Sequence, residues 1–332
     1  MATLSDIHPT LLDVSKRLDP NGNIDKIVEL LDLQNEIIAD AVFIEGNQLT
    51  GHRTTVRSGL PTPTWRKLYG GVQPTKSRTV QVTEAMGMLE AYAEVDKALA
   101  DLNGNTMAFR SSEDVAHIEG MNQEFASTLF LGNETTEPES FTGFAPRFNL
   151  LSAANGQNII DAAGAGSDNR SIWLVVWGAN TVHCVYPKGS KAGLHQEDLG
   201  RVTIENVDGA GGRMEGYRTH YRWDAGLVVR DWRYVVRIAN IDLSDLTKDA
   251  TAGADLIDLM TQALELVQDL KSGRPAFYVD RSVRSFLRRQ IANKVAASTL
   301  SMDTVAGRKV LFFDEVPVRR CDALASNEAE VV

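Results

Sequence analysis

Acidic residues are missing from one stretch of this chain. Residues 46–83 contain no Asp or Glu, although the 332-residue chain carries 44 acids against 34 Lys and Arg and a net charge of −10. Cysteine is also scarce. Cys184 and Cys321 are the only two, each in an apolar or strand-like run, so two buried free thiols are expected and no disulfide. No apolar run reaches 18 residues, which excludes a helical membrane span. The opening MATLSDIHPT has no basic n-region and no apolar core, so it does not read as a signal peptide. A soluble protein made in a reducing cytoplasm is expected. The negative net charge disfavours a dedicated nucleic-acid binder, which needs a basic footprint.

Catalytic signatures are absent as well. There is no GxxxxGK[ST] loop, HExxH, CxxC or GxSxG. Gly164-Ala165-Gly166 and Gly209-Ala210-Gly211-Gly212 do not complete GxGxxG ahead of a helix and read as turns. His8, His52, His117, His183, His195 and His220 are scattered, with no pair at ligand spacing, so no metal is expected. His183, in an apolar run, reads as a core histidine. Glu90 and Glu94 could form a glycosidase dyad on paper, but in so acidic a segment they read as a solvated or partner-facing surface. No catalytic residue and no cofactor is expected.

What is present is a globular composition, 43% apolar and 23% charged, at a length that suits about two domains. Charge is blocked along the chain. Residues 1–45 hold nine acids and three bases. Residues 46–83 hold six bases, Arg53, Arg57, Arg66, Lys67, Lys76 and Arg78. Residues 84–137 hold eleven acids and two bases, and the rest is nearly neutral.

Residues 106–132 predict one long helix. Val115, Ile118, Met121, Phe125 and Leu129 recur at helical spacing on one face. Ser111 with Asp114 resembles a capping box, and Gly132 sits where a left-handed C-cap is expected. Residues 9–22 contain LLDVSKRL, and 24–45 give a second helix with Asn23 as N-cap and Gly46 as stop. The basic stretch lacks a helical period. HRTTVR and SRTVQV read as two strands of a long arm, with PTPTW and GGVQPT as turns. So apolar-poor a hairpin cannot hold itself and needs a surface to lie on. Acidic helices of a neighbouring copy offer the right charge; the plainer reading is a solvated loop of a monomer.

Residues 86–105 read as a strand running into a short helix or turn. SIWLVVWGANTVHCVYP, 171–187, reads as a buried hairpin around Gly178-Ala179-Asn180, and 187–200 as a loop. Three or four strands follow in 201–241, where Tyr217, Thr219, Tyr221 and Trp223 alternate with Arg218, His220, Arg222 and Asp224. Arg218, Arg222, Arg230, Arg233 and Arg237 among aromatics could stack bases, but they suit a sheet surface or protein interface better. A helix is expected over 255–270 with Leu256, Met260, Leu264, Val267 and Leu270 inward. Asp280 caps a basic helix whose Arg281, Arg284, Arg288 and Arg289 could pair with the acidic face of 255–269. KVLFFDEVPVRRCDAL reads as a closing hairpin, followed by a polar tail.

Several stretches resemble the major capsid proteins of short-tailed and related tailed bacteriophages, with the Hong Kong 97 type of α+β fold. They are GHRTTVRSGLPTPTWRKLYGGVQPTKS (51–77), EAYAEVDKALADLNGN (90–105), SIWLVVWGANTVHCVYPKGSKAGL (171–194), YRTHYRWDAGLVVRDWRYVVRIANI (217–241), FYVDRSVRSFLRRQ (277–290) and VPVRRCDALASNEA (316–329). The resemblance covers essentially the whole chain. It implies an N-terminal arm over 1–45 and an extended β-hairpin E-loop over 46–95. A peripheral domain over 96–150 would carry the spine helix 106–132. A mainly axial domain would cover 151–294, and C-terminal strands 295–332 would return to the peripheral domain.

The function implied is self-assembly into hexamers and pentamers of an icosahedral head shell around double-stranded DNA, within the virion, after assembly in the host bacterial cytoplasm. Implied partners are the chain itself, a cement or decoration protein, a scaffold, a portal and DNA bound without sequence specificity, with no membrane. The implied contact sets Arg53, Arg57, Trp65, Arg66, Lys67, Lys76 and Arg78 of one copy against an acidic helix of its neighbour, through Glu113, Asp114, Glu119 and Glu124, or against the neighbour's acidic arm. Each exposed ion pair contributes only about 0–1 kcal/mol, so stability would come from repetition. No motif supports a covalent crosslink through Lys67 or Lys76. The competing readings are an encapsulin-like compartment, a soluble α+β enzyme and a minor virion protein.

Overall fold

Hydrophobic strands without a charged interruption seek the centre of a sheet, and SIWLVVW does so here. The computed structural model describes Pro9 and residues 33–104, 106–205, 211–248, 253–293, 300–305, 308–325 and 327–332. The helix expected in 9–22 and the first part of that expected over 24–45 lie outside these residues. In chain order the strands are β1 (Phe43–Glu45), β2 (Gly51–Gly59), β3 (Arg78–Ala85), β4 (Gly87–Asp96), β5 (Ile159–Asp161), β6 (Asn169–Trp177) and β7 (Val182–Tyr186). They continue as β8 (His195–Glu205), β9 (Arg213–Val229), β10 (Val235–Asp242), β11 (Arg274–Val279), β12 (Leu300–Val305), β13 (Arg308–Phe313) and β14 (Val316–Arg320). The main helices are Thr106–Leu131, Leu256–Leu266 and Arg281–Asn293.

Two compact units result. The larger is built from Gln34–Gly87, Ala126–Ala192 and Ala225–Val332. At its centre all nine residues of β6 and all eight of β10 are buried. Strand β6 runs antiparallel to β10 on one side and β11 on the other. Strand β14 is parallel to β11, β13 antiparallel to β14, and β12 antiparallel to β13. The period of two along β6 divides its side chains between two faces. Ile172, Leu174 and Val176 pack with Leu256, Met260 and Ala263 of one helix and Val283 and Leu287 of another. On the opposite face Trp173 meets Phe130, Phe144 and Phe148 at ring separations of 6.2, 5.7 and 6.0 Å. Such aromatic contacts add roughly 0.5–1.5 kcal/mol each beyond their burial. Trp177 Nε1 donates to Tyr278 Oη at 2.7 Å, and Tyr278 Oη donates to Asp40 at 3.2 Å.

The smaller unit contains Leu33, Met88–Phe125 and Gly193–Asp224. Strands β8 and β9 form a long antiparallel hairpin from His195↔Arg222 to Glu205↔Arg213, with an irregularity between Asp198 and Gly200. The expected alternation holds from Arg218 to Trp223: Thr219, Tyr221 and Trp223 are buried, while Arg218, His220 and Arg222 are not; at its ends Tyr217 is only partly buried and Asp224, expected on the charged face, is buried. Trp223 stacks on Phe125 of the long helix at 4.2 Å.

Several expectations are corrected. The long helix spans Thr106–Leu131, as expected from 106–132, but Ser111 lies inside it and does not cap it; Thr106 Oγ1 donates to Asp101 at 2.8 Å. Met121, Phe125 and Leu129 are buried as expected, but Val115 and Ile118 are 48% and 37% exposed. Helical spacing identifies a face; it does not say that something covers it. Gly132 is not left-handed. A Cβ there would stand 2.5 Å from Phe141 O and 2.6 Å from Thr128 O, so close backbone approach requires the glycine.

Of the helix expected over 24–45, only Ile37–Asp40 is helical among the described residues. Phe43–Glu45 instead pairs parallel with Cys184–Tyr186, because sheet hydrogen bonds such as Cys184 N to Val42 O, 2.8 Å, satisfy an extended β-branched segment. Residues 171–187 are not a hairpin. The link 178–181 leaves β6 and β7 parallel at Trp177↔Val182, and the antiparallel partner of β7 is β9. Strand β8 begins inside the expected loop, at His195. The helix expected to 270 stops at Leu266, and Leu270–Ser272 is a separate 3-10 turn. The C-terminal strands extend the β6–β11 sheet and share a unit with residues 225–293, while 193–224 group with the first part of the long helix.

Candidate functional site

The acid-free stretch folds as the two strands read from it. Strands β2 and β3 pair antiparallel from Gly51↔Ala85 to Gly59↔Arg78, as a two-stranded sheet of their own. Only the root is buried, at Gly51, Thr54 and Glu84. Along 60–77 every residue except Gly70 is exposed. Trp65 and Tyr69 are fully exposed, at 102% and 104% of their reference area, and Leu60 and Leu68 at 77% and 84%. Thr75 Oγ1 donates to Thr62 O across the apex, and Gly70 N to Lys67 O closes a turn.

Arg53, Arg57, Arg66, Lys67, Lys76 and Arg78 all lie on this hairpin and are exposed. Among the described residues none of the six makes an ion pair; Arg53 Nε donates to Thr83 Oγ1 at 3.3 Å. The candidate acids stand on the long helix, in the other unit. They are not idle. Glu119 accepts from Leu33 N at 3.2 Å and Gln123 Nε2 at 2.7 Å. Asp114 accepts from the Tyr221 hydroxyl, whose pKa is raised by burial first and by Asp114 second. Glu113 and Glu124 also have partners in the chain. The carboxylates are therefore partly committed before any neighbour arrives.

Sequence reasoning missed what fixes the hairpin root. Glu84, the first acid after the gap, accepts two bonds of 2.7 Å from Arg147 Nη1 and Nη2. Arg147 also donates to Thr142 O at 3.0 Å and to Leu227 O at 3.3 Å. A bidentate pair this buried adds direction more than stability. It ties the root of the hairpin to the short helix Phe144–Arg147. The only trace in the sequence is the position of Glu84 at the end of the acid-free stretch.

A histidine pair lies beside this root. His52 on β2 and His183 on β7 meet edge to face at 5.8 Å. Burial, then His52 and Arg230, push the His183 pKa down to about 4. Burial and Arg230 also lower His52, with Glu84 opposing. Because the folded pKa is depressed, the contribution of neutral His183 is complete above the unfolded value near 6.5 and is lost as pH falls from there toward 4. Lowering pH from 7.5 to 4.5 should therefore remove about 2–3 kcal/mol more stability from the natural chain than from His183→Gln, measured by urea unfolding. Equal losses in the two proteins would contradict this assignment.

The arginines of 217–237 are consumed internally. Arg218 pairs with Glu94, Arg222 with Asp224 and Glu90, Arg233 with Asp231, and Arg237 with Glu328. Arg230 donates to Ala179 O and Asn180 Oδ1. Among the described residues they brace the sheet surface. Cys184 and Cys321 are buried free thiols, and burial raises both pKa values, that of Cys321 to about 12. Among the described residues no cluster of three or more His, Cys, Asp or Glu could hold a metal, and no helix is long and apolar enough to cross a membrane.

The family model described as major capsid protein GP7 matches residues 19–332. Among solved structures, the chain is similar to one from bacteriophage Epsilon15, with 39% identity, a TM-score of 0.79, and coverage of 100% of this chain and 99% of that one. It also matches the capsid of bacteriophage JBD30 at 9% identity and TM-score 0.49, covering 89% and 93% of the two chains. An encapsulin from Synechococcus elongatus matches at 13% identity and TM-score 0.42, covering 70% and 97%. No curated protein matches. The family match over residues 19–332 and the Epsilon15 likeness decide between phage shell and encapsulin: this chain belongs to the GP7 family of phage major capsid proteins, structural components of the virion with the Hong Kong 97-like α+β fold.

Proposed function

We propose that the chain builds its shell by laying the hairpin Gly51–Ala85 across a neighbouring copy, in hexamers and pentamers that close an icosahedral head around double-stranded DNA. The observation that carries this is the hairpin apex: two fully exposed aromatic side chains among bases without acids. Exposed apolar clusters of this kind mark interaction surfaces, and Trp, Tyr and Arg are the usual anchors of protein interfaces. The acid-rich helix Thr106–Leu131 of the neighbour, with its exposed Val115 and Ile118, supplies complementary charge and apolar contact. In this reading the hairpin is the E-loop and the long helix the spine of the peripheral domain. The β6–β10–β11 sheet belongs to the axial domain. A scaffold, a portal and a cement protein act as further partners.

Electrostatic docking has its own test. Reversing Arg53, Arg57 and Arg66 together to Glu should raise the concentration needed for assembly about tenfold or more, with the circular dichroism of the unassembled chain unchanged. The size follows from three pairs of about 0.5–1 kcal/mol each. Normal assembly with all three reversed would remove electrostatics from the account.

A further inference from the structure

One charged surface is not absorbed by hairpin docking. The helix Arg281–Asn293 and the end of β14 enclose a cleft of about 520 Å³ lined by Arg281, Arg284, Ser285, Arg288, Arg289 and Arg320. The pairing expected from the sequence, with the acidic face of 255–269, does not form. Asp258 instead accepts from Gln262, and Asp269 caps Lys271 and Ser272. Among the described residues, Arg281, Arg284, Arg288 and Arg289 make no ion pair. Arg289 lies over the Phe286 ring at 5.0 Å. Arg320 alone is neutralised, by Asp322 at 2.6 Å.

Arg284 is the most telling member. Its Nε is buried with no hydrogen-bond partner. Burial holds its guanidinium below the ordinary value; Glu36 opposes this, while Arg288 and Arg320 add to it. Among the described residues, the carboxylates of Glu36 and Asp40 are engaged with Arg319, and that of Asp280 with Ser282 N and Arg170. Among the described residues four of these arginines have no acid partner, and in a chain with ten more acids than bases such a row marks an anion site.

We propose that this cleft binds the phosphodiester backbone of nucleic acid without sequence preference. The proposal rests on the reading that the shell encloses DNA. Three features favour phosphate over carboxylate. Every base is Arg, whose planar fork suits phosphate oxygens, and no Lys is used. A phosphate offers several acceptors at once to converging guanidiniums, including the orphaned Arg284. Arg281, Arg284 and Arg288 occupy successive turns of one helix and span roughly 10 Å at ~1.5 Å per residue. That is about three steps of a strand with ~3.4 Å between phosphates along the axis.

The test uses the full-length unassembled chain and a fluorescently labelled 20-base-pair duplex of mixed sequence, read by anisotropy. For three phosphate contacts, binding should weaken about 40-fold between 50 and 200 mM salt. The exposed triple variant R281A/R288A/R289A should lose tenfold or more in affinity and most of the salt dependence. A hairpin control with equal charge loss, R53A/R57A/R66A, should retain both. Millimolar inorganic phosphate should compete if the site reads phosphate alone; if only nucleic acid competes, it reads the linear backbone. Equal losses in the two triple variants, or no binding by the natural chain, would overturn the proposal. So would displacement of the duplex by a peptide of residues 1–32, which would make the cleft a docking site for an acidic protein segment. Shell formation by R281A/R288A/R289A is scored separately by negative-stain microscopy. Failure of the natural chain to form shells with its scaffold would strike the assembly reading instead.

Discussion

Replacing Trp65 and Tyr69 together by Ser is expected to abolish shell assembly at concentrations where the natural chain closes shells. The two side chains contribute nothing to the folded subunit's interior, since both are fully exposed. An aromatic side chain buries about 150–250 Å² on docking, and central interface aromatics typically contribute 2 kcal/mol or more each. Losing both weakens each hairpin contact by about 4 kcal/mol, close to a thousandfold in its equilibrium constant. Surface substitutions of this kind leave folding stability within roughly 0.5 kcal/mol. The unassembled variant should therefore match the natural chain in circular dichroism and urea midpoint, while light scattering and negative-stain images show no shells. Shells at the natural critical concentration would mean that the apex is solvated in the assembly.

The second large effect concerns the last residues of the chain. Glu328→Ala should destabilise the subunit by about 3–5 kcal/mol, the usual cost of removing one partner from a buried ion pair. Arg237 is 4% exposed. It donates to Glu328 Oε2 at 2.7 Å, Phe148 O at 2.6 Å and Ser171 Oγ at 3.1 Å, with its guanidinium 5.1 Å from the Trp173 ring. Without Glu328 the charge stays beneath the sheet with only neutral acceptors. The same tail exchanges two hydrogen bonds with Asn240, through Val331 N at 2.8 Å and Val331 O at 2.9 Å. Leu151 N donates to Val332 O at 3.1 Å. The tail is thus a strap across the aromatic face of the core. Glu328→Gln keeps the shape and an acceptor, so it should cost clearly less than Glu328→Ala. Urea unfolding at constant slope measures both. A loss below about 1 kcal/mol for Glu328→Ala would show that water reaches Arg237.

The two substitutions illustrate what a sequence can and cannot disclose. Strands β2 and β3 were legible because Pro and Gly punctuate them and because no acid interrupts 46–83. Buried β6 and the alternating face of β9 were legible from local periodicity for the same reason. The strap was not. The tail reads only as polar, and Arg237 lies 91 residues from Glu328 in the chain. The Glu84–Arg147 clamp spans 63 residues and is equally hidden. Exposure of Val115 and Ile118 could not be read from the helix that carries them, since their cover must come from elsewhere. Residues 43–45 show the converse: a helical period gave way to the open edge of β7. Of the candidate contact residues, the hairpin set stood out by charge. The helix acids could be named, but their prior commitments to Tyr221, Leu33 and Gln123 could not.

The central claim is that the hairpin of one subunit docks on the next, and electron cryomicroscopy of the closed shell tests it most directly. The account predicts density for residues 60–77 lying on a neighbouring subunit, with Trp65 and Tyr69 buried against it and Arg53, Arg57 or Arg66 within ion-pair distance of its acids. A closed shell in which the apex projects into solvent, or folds back on its own subunit, would contradict it.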